Sequence, residues 1–376
     1  MIYLDNAATT KPSIDALNKA SIFNDKYFYN PSALYRLGLD VNKELKEAKQ
    51  TVLSMISANN EKFDVIFTSC GSESDNTAIF CVKKRGVFVT TKGEHSAVYQ
   101  SFQELKNRGV EAVFIDLNPD GTVNVESLMQ YVKENKVDFV SVVHVNNETG
   151  GINDINYIAR EIKKINPSIT FHSDGVQAFG KIPYTISDDI DLYSISAHKI
   201  NALKGVGALI KKKKLNVTPL IFGGGQESGL RSGTENVFGI KVFQYAIDEK
   251  KECIKENYNK VKKLKEILVD NLDLDIFKII SGENSSPYIL MASAVGLRGE
   301  VLMHLLEEEN IILGNGSACS SKNRYSRIVK ECGFNNAVLD GLIRISFSPT
   351  NTIDEILTTA YTLNVKAKTL KGVMRV

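Results

Sequence analysis

Between Asp64 and Ile210 short apolar runs alternate with stretches of helical spacing, and that alternation limits the chain to few folds. The runs are Asp64–Thr68, Gly86–Thr90, Val110–Ile115, Val137–Val145, Ser168–Phe171 and Leu192–Ile195, with a Gly-marked run after Lys204. Helical spacing is read over Ser13–Phe28 and Ala33–Ile56, from about Asn76 to Lys83, from His95 to about Arg108, and over Asp154–Ile165. The pattern predicts an α/β fold with a mainly parallel sheet and helices on both faces. In such sheets ligands bind beyond the carboxyl ends of the strands. Compact polar residues recur at those exits: Gly71 and Ser72, His95, Asn147, Asp174 and Gln177, then Ser196, His198 and Lys199.

The last exit, in Asp191–Lys199 (DLYSISAHK), carries the most chemistry. A lysine at the exit of a buried strand differs from a surface lysine: if partly desolvated, its amine loses charge more easily and can form a Schiff base. Ser196 and His198 beside it could hold an anion. These groups suggest an aldehyde cofactor that carries a phosphate, which is pyridoxal 5'-phosphate. A solvent-facing His-Lys pair at a strand end is the plainer reading of these residues taken alone. The turn Ser69–Asn76 offers a second anion site, because backbone N–H groups at a helix start point outward and the helix dipole favours negative charge. Ser72 and Asp75 there also resemble a capping box. Gly175–Lys181 (GVQAFGK) matches the start of a phosphate-binding P-loop, but Ile182 stands where Ser or Thr would bind magnesium and Pro183 follows. Nucleotide binding is rejected there.

At 376 residues, a large and a smaller domain are expected. A formal net charge of +2 gives no case for nucleic acid as a direct partner. The four lysines Lys211–Lys214 are read as a solvated turn. Asp5 follows only four residues, so no signal peptide is expected, and no apolar run is long enough to cross a bilayer. A cytoplasmic protein without membrane partners is expected. The five cysteines contain no C-x-x-C pair, which argues against a disulfide framework and a cysteine-only zinc site; no metal site is expected.

Cys319 differs from the other cysteines. It lies in a run of Gly, Ser and Ala (Gly314–Lys322) that suits a reactive thiol, with Lys322 and Arg324 near enough in sequence to favour the thiolate. Arg344 is a lone arginine in an apolar strand and needs a carboxylate partner, either structural or belonging to an amino-acid substrate. The Gly-rich segment Ile221–Asn236 is long for a loop in a compact domain, which favours a functional or interfacial role, and Val237 to about Asn271 reads as one long helix leading to the second domain.

Taken in order, the motifs YLDNAATT (from Tyr3), NPSALY (Asn30), TSCGSESDN (Thr68), GEHSAV (Gly93), HVNNETGG (His144), HSDGVQ (His172), SAHK (Ser196), GGGQE (Gly223), RSGTEN (Arg231), GSACSS (Gly316) and IRIS (Ile343) resemble those of the cysteine desulfurases. That family belongs to the class V aminotransferase group of fold-type I pyridoxal-phosphate enzymes, and the likeness spans nearly the whole chain. It implies an N-terminal arm (1–15) packing with the small domain, a large cofactor-binding domain (16–250) and a small C-terminal α/β domain (251–376) that carries the Cys319 loop. Lys199 would hold the cofactor as a Schiff base and later move the Cα proton. His95 would stack on the ring, Asp174 would pair with its nitrogen, and Gln177 and Asn147 would bond its oxygen. Gly71, Ser72, Ser196 and His198 would bind the phosphate. Thr234 would reach the phosphate of a neighbouring protomer, which implies a homodimer. Arg344, with Asn147, would hold the carboxylate of L-cysteine.

Cys319 would take the sulfur as a persulfide, leaving alanine, and pass it to an acceptor protein such as an iron–sulfur scaffold or a tRNA-thiolation enzyme. The long Gly314–Lys322 stretch resembles the family's extended-loop type. Cys70, Tyr35 and Phe347-Ser348-Pro349 depart from the family's usual glycine, histidine and Leu-Gly, and none of these removes a catalytic group. Alternatives are a selenocysteine lyase or another enzyme of the same group, and a non-catalytic sulfur-relay scaffold. The last would have lost Lys199 or Asp174.

Overall fold

The computed structural model describes residues 1–82, 86–315 and 325–373; Cys319, Lys322 and Arg324 lie outside the described residues. The chain opens with strand β1 (Ile2–Tyr3) and helices α1 (Ile14–Lys26) and α2 (Arg36–Met55). Then follow β2 (Phe63–Thr68), α3 (Gly71–Phe80), β3 (Val87–Thr91), α4 (Ser96–Asn107), β4 (Ala112–Ile115), α5 (Val125–Glu134), β5 (Val137–Ser141), α6 (Ile155–Ile165), β6 (Thr170–Asp174), β7 (Leu192–Ser196) and β8 (Gly207–Lys212). These seven strands form one sheet in the order β2-β8-β7-β6-β5-β3-β4, in which only β8 runs against its neighbours.

The strands are apolar on both sides because both faces are covered. Successive residues point to opposite faces. Val65 and Phe67 of β2, Val89 of β3 and Val140 of β5 pack in one core with α1, α2 and α6, whereas Ile66, Phe88 and Phe139 pack in another with α3 and α4.

The sheet corrects one expectation. Lys211 and Lys212 are not part of a solvated turn but the last residues of β8, paired across it with Asp64 and Phe63. Lys211 is buried, and Lys212 ion-pairs with Asp191 at 3.0 Å. A central strand position and a buried carboxylate outweigh the solvation of the charges; only Lys213 and Lys214 form the turn. The apolar run after Val137 also leaves the sheet at Ser141.

Helix α7 (Val237–Asn271) places Ile240, Phe243 and Ile247 in the first core and Val261, Leu264 and Leu268 in a separate C-terminal core. That core covers β9 (Phe277–Ile279), β10 (Ile289–Ala294) and β12 (Leu342–Ser346), an antiparallel sheet in the order β12-β10-β9. Around it lie α8 (Gly299–Glu307), β11 (Ile311–Ile312), α9 (Arg327–Glu331), α10 (Asn336–Asp340) and α11 (Ile353–Val373). The N-terminal residues connect the two parts. β1 pairs in parallel with β11, Leu4 and Ala7 are buried in the C-terminal core, and Thr10 then donates to the carbonyl of His198 from its N–H (3.0 Å) and its hydroxyl (2.8 Å). Among the described residues no helix is long and apolar enough to cross a membrane.

Candidate active site

β7 ends at Ser196 and a single 3-10 turn, Ala197–Lys199, follows. The turn aims Lys199 at the N-terminal arm: its Nζ donates to the carbonyls of Ala7 (2.6 Å) and Ala8 (2.7 Å). Gln177 Nε2 donates to the same Ala7 carbonyl at 2.9 Å, so Lys199 and Gln177 meet on one backbone oxygen.

Asp174 is the last residue of β6, and its Oδ1 accepts the Val176 N–H at 2.9 Å. Burial raises its pKa to about 6 against the pull of the backbone bond and of Lys199. His95 precedes α4 and its Nδ1 accepts the Ala97 N–H at 3.2 Å, which leaves the ring proton on Nε2. Burial, then the charges of Lys199, Arg327 and Arg344, lower its pKa to about 4, so the ring is neutral and apolar enough to stack. One oxygen or nitrogen each of Asp75, His95 and Asp174 lie within 4.8 Å of one another.

Asp75 is fully buried, and burial followed by the Asp174 charge lifts its pKa well above the ordinary carboxylate value. Behind it His172 bonds Ser141 Oγ through Nδ1 (2.8 Å) and Ser194 Oγ through Nε2 (2.9 Å). Asp75 therefore does not cap α3 as part of a box with Ser72. The helix begins at Gly71, Ser72 lies exposed one residue inside it, and the N–H of Ser69 donates to Glu73 instead (2.8 Å). The box fails because Asp75 turns into the core toward Asp174.

The start of α3 faces the end of β7. A Cβ on Gly71 would come within 2.9 Å of Val176 Cγ2 and 3.4 Å of Ser196 Cβ. Ser196 Oγ is buried without a hydrogen-bond partner among the described residues. A helix N-terminus of ten residues, a glycine that keeps the approach open and an unsatisfied hydroxyl fit a phosphate. His198 sits next to them, its Nδ1 3.1 Å from Thr9 Oγ1. Thr234 is exposed, and no described contact brings it to this group.

Arg344 in β12 is buried. Its Nη2 donates to Asp5 Oδ1 and its Nη1 to the Asn147 carbonyl, both at 2.9 Å. Arg344 Nε and Asn147 Oδ1 are buried without partners among the described residues. A donor and an acceptor left open on two touching residues suit a ligand that offers both, as an amino acid does.

The stretch bearing Cys319 lies outside the described residues, but its flanks do not. Gly314 exchanges backbone hydrogen bonds with Arg344 (3.0 and 2.7 Å), and Ser326 Oγ donates to buried Glu148. Burial raises the pKa of Glu148 to about 7. Arg327 stacks 3.8 Å from the Tyr99 ring centroid and donates to the carbonyls of Lys92 and Glu94. Both ends of the stretch are thus tied beside Asn147 and His95.

Sequence reasoning missed Asp5, Glu94 and Lys181 and misread Asp75. Lys181 was visible only as the end of the rejected P-loop match, yet its position four residues after Gln177 places both on one face of a helical turn.

The family model for class-V aminotransferases matches residues 2–358. The chain is 35% identical over 368 residues to a NifS/IcsS protein homolog of Lactobacillus delbrueckii subsp. bulgaricus, covering 94% of each. It is 34% identical over 382 residues to the cysteine desulfurase IscS of Clostridium botulinum, covering 98% of this chain and 94% of that protein. A solved NifS-like protein superposes with a TM-score of 0.89 at 31% identity, over 98% of this chain and 99% of the other.

Proposed function

The chain belongs to the class-V aminotransferase family, and from that membership we propose that it is a pyridoxal-phosphate-dependent cysteine desulfurase, a sulfurtransferase acting on L-cysteine. The observation that carries the reading is the anchoring of both flanks of the Cys319 stretch, at Arg344 and at Glu148, with Arg344 paired to Asp5 of the same arm whose Ala7 and Ala8 carbonyls accept from Lys199.

Lys199 would hold the cofactor covalently. Gly71, Ser72, Ser196 and His198 would hold its phosphate, with Thr234 of a second copy of this chain. His95 would cover the ring, Asp174 would pair with its nitrogen, and Gln177 and Asn147 would bond its oxygen. Bound in this way, pyridoxal phosphate supplies an electron sink for the Cα–H bond of an amino acid. Asp174 must be ionised to support that role. Its pKa of about 6 leaves it so at neutral pH, and a cationic partner lowers it further.

Arg344 binds the substrate carboxylate through the donors it has left, with Asn147 beside it. Lys199 moves the Cα proton. Cys319 attacks the substrate sulfur: the Cβ–S bond breaks, a new S–S bond forms on Cys319, and the carbon skeleton takes up protons and leaves as alanine. The persulfide then passes to an acceptor protein of the iron–sulfur scaffold or tRNA-thiolation type. The working unit is a cytoplasmic homodimer, with an arm (1–15), a large domain (16–250) and a small domain (251–376).

The test is alanine release from L-cysteine by purified, cofactor-loaded protein beside Cys319→Ala, with and without reductant. Release by the parent and loss of at least about a hundredfold in the variant is the expected result, because removal of an essential nucleophile has an effect of that order or larger. Undiminished release by Cys319→Ala overturns the persulfide route and leaves a lyase that cleaves the Cβ–S bond without a cysteine nucleophile, whereas a 2-oxo acid in place of alanine favours an aminotransferase. No release from cysteine by protein that visibly binds the cofactor points to selenocysteine as the substrate.

A further inference from the structure

Arg344 already has a carboxylate partner before any substrate arrives. Asp5 Oδ1 lies 2.9 Å from its Nη2, with the arginine side chain 4% exposed and the aspartate 19%. Asp5 is held in place by its own backbone. Its carbonyl accepts the Ala8 N–H at 3.0 Å and the Tyr3 hydroxyl at 3.1 Å. The space for the pair exists because residue 314 is glycine: a Cβ there would come within 2.5 Å of Asp5 Oδ1 and 3.1 Å of Arg344 Nη2. Gly314 is itself bonded to the Arg344 backbone on both sides. The arm, the arginine and the first residue of the Cys319 stretch thus close on one ion pair.

We propose that Asp5 is the resident counter-ion of Arg344 and sets how loosely the site holds an amino-acid carboxylate. This rests on the reading of Arg344 as the carboxylate anchor. Two opposing effects follow from the pair. Asp5 compensates a buried guanidinium that would otherwise be left alone whenever product departs. It also places a like charge across that guanidinium from the incoming carboxylate, which weakens binding. The arginine keeps a positive charge but not an unshared one, and the carboxylate of the product is released more readily.

The sign of the effect separates this role from a structural one. Asp5→Asn retains an oxygen for Nη2 and removes the charge, so L-alanine should bind the cofactor-loaded variant more tightly, by about tenfold. The affinity is read from the change in visible absorption on titration. Ethylamine, which lacks the carboxylate, should bind parent and variant alike. Should Asp5→Asn fail to fold, Asp5→Ser carries the same comparison. Unchanged or weaker L-alanine binding, or equal tightening of ethylamine, overturns the proposal. If the parent nevertheless releases alanine from L-cysteine, the desulfurase reading stands without it. A parent that releases none overturns the desulfurase reading alone, and tighter L-alanine binding by Asp5→Asn still supports the counter-ion role.

Discussion

Lys181 Nζ donates to Oε1 of Gln177 over 2.7 Å, and both side chains are buried. Burial, reinforced by the charges of Lys199, Lys250 and Arg344, holds the lysine pKa well below its ordinary value. The contact gives the Gln177 amide a direction: its oxygen faces Lys181 and its nitrogen faces the Ala7 carbonyl. The bond to Gln177 is the contact through which Lys181 would act on the site.

Lys181→Met keeps the aliphatic stem and frees the amide to turn. Loss of one oriented buried hydrogen bond, ~1–1.5 kcal/mol, corresponds to roughly tenfold weaker pyridoxal phosphate binding. Titration of cofactor-free protein measures it, and unchanged affinity would remove the orienting role. The pH dependence has a definite sign. The unfolded chain binds this lysine's proton more readily than the folded one, so the parent loses stability as pH falls from about 10.5 toward the lowered pKa. The methionine variant lacks that loss and should gain relative to the parent over the same range in thermal melts.

Glu94 tests the opposite sign. It is fully buried, and its Oε1 accepts from Thr91 Oγ1 (2.8 Å) and the Val143 N–H (2.9 Å). Burial raises its pKa to about 8. The folded state therefore keeps the proton that the unfolded state releases at about 4.3, and the parent loses stability as pH rises between those values. Glu94→Gln imitates the protonated acid and retains the accepting oxygen. Its melting temperature relative to the parent should rise by roughly a few degrees from pH 5 to pH 8.5. A difference that does not change with pH would mean that Glu94 is ionised in the fold.

The start of α3 provides a test of phosphate binding. Gly71→Val would bring a side chain against Val176 Cγ2, 2.9 Å from the added Cβ, in the approach to Ser196. Pyridoxal phosphate affinity should fall at least about tenfold while that of unphosphorylated pyridoxal changes little. Equal losses for the two compounds would place the phosphate elsewhere.

The alternation of apolar runs and helical spacing determined the α/β class, because a strand buried on both faces leaves its mark within five or six consecutive residues. The same local patterning marked Lys199, Asp174, His95 and Gly71 as residues at strand exits, and the extent of α7, Val237–Asn271, was legible from spacing alone. What the tertiary structure decided are relationships between distant residues. Asp5 and Arg344 are 339 positions apart, and no periodicity relates them. Asp75 looked like a capping residue because capping is a local rule, and burial next to Asp174 overrode it. Lys211 looked solvated for the same reason, since a run of charges says nothing about which strand will cover it. Burial and charge pairing are sums over neighbours that only folding brings together, so the residues that tune this site became visible only in three dimensions.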